Sequence, residues 1–324
     1  MTIFRAAMMT AAIVGMLAGA REAAANDAFK VATAQKGFWD TTILLYGDRQ
    51  GFFKDAGLDL DITWTHGGAD AEQAVISGSV DIAAANGILG AVAAYAKGAP
   101  IRIVAAESTG VNDLFWYARA ESGFKSFGDL AGKTVAFSSP GSSTNMVALA
   151  LIADAHVAAK PVATGGAPGT LTQVMSGQID VGWAVPPLHF DLIDQGKLHI
   201  VGRGSDIAAM RDQTVRVFET NTETLKTHRD RLVRFFKAYQ KTLDWAYSDP
   251  KALEYFAADN KVTLDQARRA RDDFYPKRSL ALAPISNFDL TIKQAIALKR
   301  LRVPLTSAQV KELIDIVYDP AKDR

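Results

Sequence analysis

Val75-Ile76-Ser77-Gly78-Ser79-Val80-Asp81-Ile82-Ala83 and Val174-Met175-Ser176-Gly177-Gln178-Ile179-Asp180-Val181-Gly182 align position for position. Valine, serine, glycine and aspartate recur at equivalent places in the two stretches. Each reads as the last turn of a helix, a glycine stop where positive φ is cheap, and a strand opening after the aspartate. A Ser-Gly helix stop is ordinary by itself, but here the surroundings correspond as well. A chain that builds one α/β unit twice has two lobes, and two facing lobes enclose a cleft.

Upstream and downstream of the first stretch, apolar strands alternate with helical spacing. The pattern predicts strands at Phe29–Ala34, Leu58–Trp64, Asp81–Ala85 and Ile101–Ala106. Helices are expected at Thr41–Asp55, Ala69–Ser77 and Gly87–Lys97. The second lobe repeats the order, with strands at Lys133–Ser138, Pro161–Thr164, Asp180–Ala184 and Leu198–Gly202. Its helices are expected at Ser143–Ala155, Thr170–Ser176 and Pro187–Gln195. Strands separated by helices indicate parallel sheets with right-handed crossovers, an α/β fold. Two further strand-like runs, Asp113–Ala118 and Thr214–Glu219, are read as a paired crossover that hinges the lobes. From Thr222 onward the pattern turns helical, with one apolar face made by Leu232, Phe235, Phe236, Tyr239, Leu243 and Ala246. Thr263…Gln266 and Thr306…Gln309 fit capping boxes. The expected division is a leader at 1–25, lobe 1 at 26–113, a crossover at 114–118 and lobe 2 at 119–213. A return crossover at 214–220 and a carboxyl-terminal helical part at 221–324 complete it.

The 324 residues, 48% apolar, suffice for two cores. A net charge of +1 and the absence of any Lys/Arg run speak against a nucleic-acid binder. With no cysteine, a disulfide framework, a thiolate zinc site, a cysteine nucleophile and a lipid-bearing cysteine are all excluded. Arg5, the apolar run Ala6–Ala20 and the small-residue site Ala23-Ala24-Ala25 read as a cleaved secretory signal. The run is shorter than the ~20 residues a membrane span needs. Export and the lack of cysteine together point to a bacterial periplasm.

Catalytic signals are few. His66, His156, His189, His199 and His228 form neither H-E-x-x-H nor an i, i+4 pair, so no metal site is expected. Gly128-Asp129-Leu130-Ala131-Gly132-Lys133-Thr134 is one residue short of a phosphate loop and precedes a strand instead of following one. Pro140-Gly141-Ser142-Ser143-Thr144-Asn145 is different, because it follows an apolar strand and opens a helix. Backbone N–H groups and hydroxyls converge there at the positive end of the helix dipole, a seat for a carboxylate, sulfonate or phosphate. Simple N-capping by Ser142 or Ser143 is the competing explanation. Open α/β sheets bind ligands at the carboxyl ends of their strands. That edge also collects Gly37, Phe38, Trp39 and Asp40, then Asn86 and Gly87, then Glu107 and Ser108. In the second lobe it collects Ser139, Gly141, Ser142, Ser143, Thr144, Trp183 and Pro186. Polar caps between aromatic walls suit a small ligand that is part apolar and part anionic. For Trp39 and Trp183, core filling competes evenly with a place on the ligand wall.

These residues resemble the periplasmic substrate-binding proteins of ABC importers, in the nitrate/sulfonate/taurine-type family that also includes thiamine-pyrimidine precursor binders. The resemblance rests on Gly51-Phe52-Phe53-Lys54-Asp55-Ala56-Gly57-Leu58 and Gly78-Ser79-Val80-Asp81-Ile82-Ala83. The segment Ser126–Lys133, the helix start Gly141-Ser142-Ser143 and Gly177-Gln178-Ile179-Asp180 extend it, over about Phe29–Tyr318. It implies a two-lobed type II periplasmic binding fold with two crossings and a carboxyl-terminal part packed on lobe 1. It also implies a monomer without cofactor that delivers a captured solute to a membrane permease. One branch of the fold resembles a pyrimidine synthase with a cysteine-rich motif, which a cysteine-free chain does not match. The expected function is capture of a small organic anion: a sulfonate, taurine-like, nitrate-like or aromatic carboxylate. A pyrimidine binder, a secreted enzyme using Asp40 and Glu107, and a sensor are the alternatives.

Overall fold

The structure is a computed structural model that describes residues 26–323; the expected leader lies outside them. Lobe 1 runs β1 (Asp27–Thr33), α1 (Trp39–Arg49), α2 (Phe52–Asp55), β2 (Leu58–Trp64), α3 (Gly68–Ile76), β3 (Ile82–Gly87), α4 (Ile88–Ala96) and β4 (Ile101–Thr109). Lobe 2 runs β5 (Phe115–Arg119), β6 (Thr134–Phe137), α5 (Ser143–Asp154), β7 (Lys160–Ala163), α6 (Ala167–Met175), β8 (Val181–Ala184), α7 (Phe190–Asp194) and β9 (Leu198–Arg203). The chain returns through β10 (Thr214–Asn221) to α8 (Thr222–Thr227), α9 (Arg229–Ser248), α10 (Lys251–Asn260), α11 (Leu264–Phe274), α12 (Phe288–Ala297) and α13 (Ser307–Leu313). The single helix expected at Thr41–Asp55 is two, because Gly51 sits in the left-handed region at φ 75° and breaks it.

The two sheets have the same plan. Their strand orders are β2-β1-β3-β10-β4 and β7-β6-β8-β5-β9. In each, parallel strands flank one antiparallel strand: β10 between β3 and β4, and β5 between β8 and β9. The two crossover runs therefore do not pair with each other, as the sequence reading had them. Each is completed by the sheet it enters, since an apolar strand must satisfy both its edges. What lies side by side is the pair of connections before them. Gly110 N–H donates to Gln213 O at 2.8 Å, and the Thr109 and Thr214 hydroxyls are 2.9 Å apart.

The repeated stretch performs one task twice. Gly78 and Gly177, at φ 73° and 77°, end α3 and α6 in matching turns. Ser79 N–H returns to Ala74 O and Gln178 N–H to Gln173 O, both at 2.9 Å. The following aspartates then stitch neighbouring strands together. Asp81 accepts from Lys30 N–H at 2.7 Å, and Asp180 accepts from Thr134 N–H at 2.9 Å and its hydroxyl at 2.8 Å. Burial works against the Asp180 charge, but these donors hold its carboxyl below the ordinary range.

The carboxyl-terminal helices bind both lobes. The apolar face of α9 packs on α1 and α2, with Phe235 stacked 5.0 Å from Phe29 and 5.4 Å from Phe53. Gln213, at the return connection, donates to Thr291 Oγ1 at 2.9 Å and Gln294 Oε1 at 2.7 Å on α12. The resemblance implied packing on lobe 1, and α11 reaches lobe 2 as well. Arg269 pairs with Asp194 at 3.0 Å and lies over the Phe190 ring, while Phe274 meets Phe115 and Phe190. An amphipathic helix with a terminal Phe buries that ring wherever apolar surface is open, and here that surface is the partner lobe.

Lobe 1 also buries two further acids, Glu72 and Glu219. Burial pushes Glu72 up to about 7, against the pull of Lys97. Burial and the nearby Glu72 push Glu219 well above the ordinary range. A folded carboxyl held above its unfolded pKa keeps a proton that the unfolded chain has lost. Stability therefore falls as pH rises from about 4.5 to about 7 and beyond, at about 1.4 kcal/mol per pH unit for each proton involved. Denaturant unfolding at pH 5, 6, 7 and 8 should show the midpoint falling with an unchanged slope. A flat or rising midpoint would contradict a buried acid pair.

Candidate functional site

The cavity between the lobes lies at the carboxyl ends of β1, β3, β6 and β8, the edge the strand order predicts. Its empty space is about 440 Å³, counted to its open mouth. Lobe 1 supplies Ala34, Gln35, Phe38, Asp40, Gly67, Gly68 and Ala85, and β10 supplies Arg216. Leu114, in the first connection, and Ser138, Ser142, Ser143, Thr144, Trp183 and Val185 of lobe 2 complete the wall.

Six of the sequence candidates line this space: Phe38, Asp40, Ser142, Ser143, Thr144 and Trp183. Ser142 caps α5, its Oγ accepting from Asn145 N–H at 3.1 Å and donating to Ser139 O at 2.7 Å. The capping explanation therefore holds for Ser142, and the first-turn N–H groups of Ser143 and Thr144 stay clear of it. Trp183 is 3% exposed, and its indole N–H is buried without a hydrogen-bond partner. Asp40 sits in the first turn of α1, where the dipole favours a carboxylate.

The other seven candidates lie elsewhere. Trp39 is core: its ring meets Tyr46, Tyr247 and Phe256, because one step along α1 turns it away from Asp40. Asn86 is fully buried, and in the orientation that satisfies its amide it donates to Gly68 O at 2.9 Å and Ala84 O at 3.2 Å. Ser108 accepts from Arg216 at 3.2 Å, off the cavity wall. Ser139 contributes its carbonyl to the Ser142 hydroxyl, and Pro186, joined by a cis peptide to Pro187, lies beyond the wall. Gly87 and Gly141 meet each other across the cleft. A Cβ on Gly87 would come 2.6 Å from Gly141 O and 2.8 Å from Ser143 N.

That contact brings the starts of α4 and α5 together backbone to backbone. Gly87 has φ −69°, so alanine suits its conformation and only the space opposes it. Gly87→Ala should hold the lobes apart, weakening ligand binding about tenfold or more while the melting temperature stays within a few degrees. Small-angle scattering would show a larger radius of gyration with ligand present. An unchanged radius and affinity would show that this contact does not limit closure. A second bridge runs from Gln35, whose Oε1 accepts from Ala167 N–H at 3.3 Å where α6 has no side-chain cap of its own.

Arg216 is the residue the sequence reading missed. It stands on β10, opposite Gly87 and Ser108, and is 5% exposed. Its guanidinium lies 2.6 Å from Asp113, 3.1 Å from Asp40 and 3.7 Å from Glu107. Burial alone would lower its pKa, but the three carboxyls hold it above the ordinary arginine value. Burial pushes Asp40 up, with Arg216 pulling the other way, and it pushes Glu107 up strongly with help from Asp40. A lone arginine within the apolar run Thr214–Glu219 was the available signal: a charge in a central strand must be paired.

Comparison with solved structures shows the same two-lobed fold at low identity. The alkanesulfonate-binding protein SsuA from Xanthomonas axonopodis pv. citri, bound to MOPS, superposes with a TM-score of 0.73 at 16% identity. That match covers 90% of this chain and 99% of the other. The periplasmic aliphatic sulphonate binding protein SsuA from Escherichia coli gives 0.70 at 15%, over 90% and 93%. The periplasmic nitrate-binding protein NrtA from Synechocystis PCC 6803 gives 0.71 at 13%, over 89% and 86%. No curated protein matches the sequence. The NMT1/THI5-like family matches residues 39–253, two-thirds of the sequence and both lobes, and the chain belongs to that family.

Proposed function

We propose that the protein is a non-enzymatic periplasmic receptor that captures a small solute between its lobes and delivers it to an ABC permease. The observation that carries this reading is the cavity itself. It is walled by both lobes and closed by the Gly87–Gly141 contact, so a ligand inside it can be read by lobe closure. The sulfonate- and nitrate-binding proteins of the same fold support the role. The ligand's acceptor oxygens sit against the start of α5 and the Trp183 indole, the seat expected for a small organic acid. Phe38 and Trp183, contributed by opposite lobes, favour a flat or part-apolar body over a compact inorganic ion. The enzyme alternative loses support, because of its two acids only Asp40 reaches the cavity; Glu107 stands off the wall, beside Arg216.

A thermal-shift screen over a metabolite panel tests the reading. A true ligand at 100 times its Kd stabilises the protein by about 2.7 kcal/mol. Mass spectrometry of the ligand recovered from the complex should return it unchanged. Recovery of a converted product would replace the receptor with an enzyme.

A further inference from the structure

The seat between the lobes has two charged residues on its wall, Asp40 and Arg216. Arg216 Nη2 is held by Asp113 at 2.6 Å, Asp40 at 3.1 Å and Ser108 at 3.2 Å, while Nη1 reaches Ser143 Oγ at 3.5 Å. One guanidinium faces the carboxyls of Asp40, Glu107 and Asp113. The cluster therefore carries excess positive charge only if all three carboxyls are neutral. Among the described residues, no lysine and no second arginine lines the cavity. A site for a net anion needs the opposite: a cation free to pair with it once water is excluded.

The remaining attraction for an acceptor oxygen is local. The start of α5 supplies about half a positive charge and first-turn N–H groups. Trp183 adds an indole donor that is buried and unpartnered. Asp40 offers the reverse chemistry on the facing lobe. One of its oxygens accepts from Thr41 N–H at 2.9 Å and the other lies 3.1 Å from Arg216. A carboxylate has about four lone-pair sites, so capacity remains on the cavity side.

Resting on the receptor reading above, we infer that the cavity selects solutes without net negative charge. Their acceptor oxygen faces α5 and Trp183, and their own N–H or ammonium donor faces Asp40. This makes Asp40 the specificity-determining residue. An anion lacking that donor would bring a further negative group into a dry space beside Asp40, where one guanidinium already faces three carboxyls. The organic acid expected from the sequence thus narrows to one balanced within the molecule, or to an uncharged amide or amino-substituted ring.

Isothermal titration calorimetry with shape-matched pairs at pH 7 tests this on the full protein. The pairs are ethanesulfonate with 2-aminoethanesulfonate, propanoate with 3-aminopropanoate, and benzoate with benzamide. In the pairs that bind, the member without net charge should bind at least about tenfold tighter, the effect of one charge-assisted hydrogen bond. A smaller preference, or a preference for the anion, overturns the inference and leaves the receptor reading standing. Asp40→Asn keeps the shape and removes the charge. It should bring the two members of a binding pair to about equal affinity, with the melting temperature reporting its fold. A preference that survives in a folded Asp40→Asn protein overturns the assignment to Asp40. If no member of any pair binds while unrelated solutes do, the acceptor seat at α5 fails, and the inference fails with it.

Discussion

Replacing Arg216 with alanine should lower folding stability by about 3–5 kcal/mol at pH 7, the largest effect expected of any single change in the cleft. The substitution removes the one cation among three buried carboxyls and leaves Asp40, Glu107 and Asp113 facing each other. Burial already raises Asp40 and Glu107, and without the guanidinium that pulls them down their folded pKa values rise further. Carboxyls raised in this way bind more protons folded than unfolded, so the variant's stability falls as pH rises from about 4 upward. The gap from the parent protein should be widest near pH 8 and shrink toward pH 5. Denaturant midpoints of both proteins across that range supply the measurement. A gap of less than about 1 kcal/mol at pH 7, or one that widens on acidification, would mean that the cluster is not held by Arg216.

The second large effect concerns binding. Ser142→Asp should weaken the best ligand of the metabolite screen about ten- to a hundredfold while leaving the melting temperature unchanged or higher. Aspartate is as good an N-cap as serine and can still accept from Asn145 N–H, as Ser142 Oγ does at 3.1 Å. Its charge also favours the dipole of α5. The bond from the Ser142 hydroxyl to Ser139 O is lost, a cost of about 1 kcal/mol that the dipole offsets. The new negative charge stands beside the ligand's acceptor oxygen, and loss of a charge-assisted hydrogen bond is worth roughly 1.5–3 kcal/mol. A protein that melts no lower yet binds far worse locates that oxygen at α5. Unchanged affinity would remove it from this helix, and with it the seat on which the receptor reading places its ligand.

Charge selection and closure are linked through the same helix starts. The start of α5 both lines the cavity and touches Gly87 of lobe 1, so an acceptor oxygen seated there, as proposed, would also set how closely the lobes meet. Gln35 has the same double part, lining the cavity while its Oε1 accepts from the start of α6. A ligand too large for the seat would hold both contacts open.

The sequence by itself determined the units and the edge. Helix stops at Gly78 and Gly177, the strand at Leu58–Trp64, the cap at Ser142 and the boxes at Thr263 and Thr306 all depend on neighbours within a few residues. Local chemistry of that kind is written in the order of the chain, and the strand–helix alternation then places the cavity at the strands' carboxyl ends. Phe38, Asp40, Ser142, Ser143, Thr144 and Trp183 were legible on those grounds. Only the tertiary structure decided the rest. The same edge position sends Trp39 into the core and Asp40 into the cavity, because a helix turns by about 100° per residue. Gly87 meets Gly141 only where the two lobes face each other, which no periodicity records. Arg216 gathers Asp40, Glu107 and Asp113 only because β10 returns from lobe 2 to run between β3 and β4. A charge balance made from residues so far apart in the chain has no local signature.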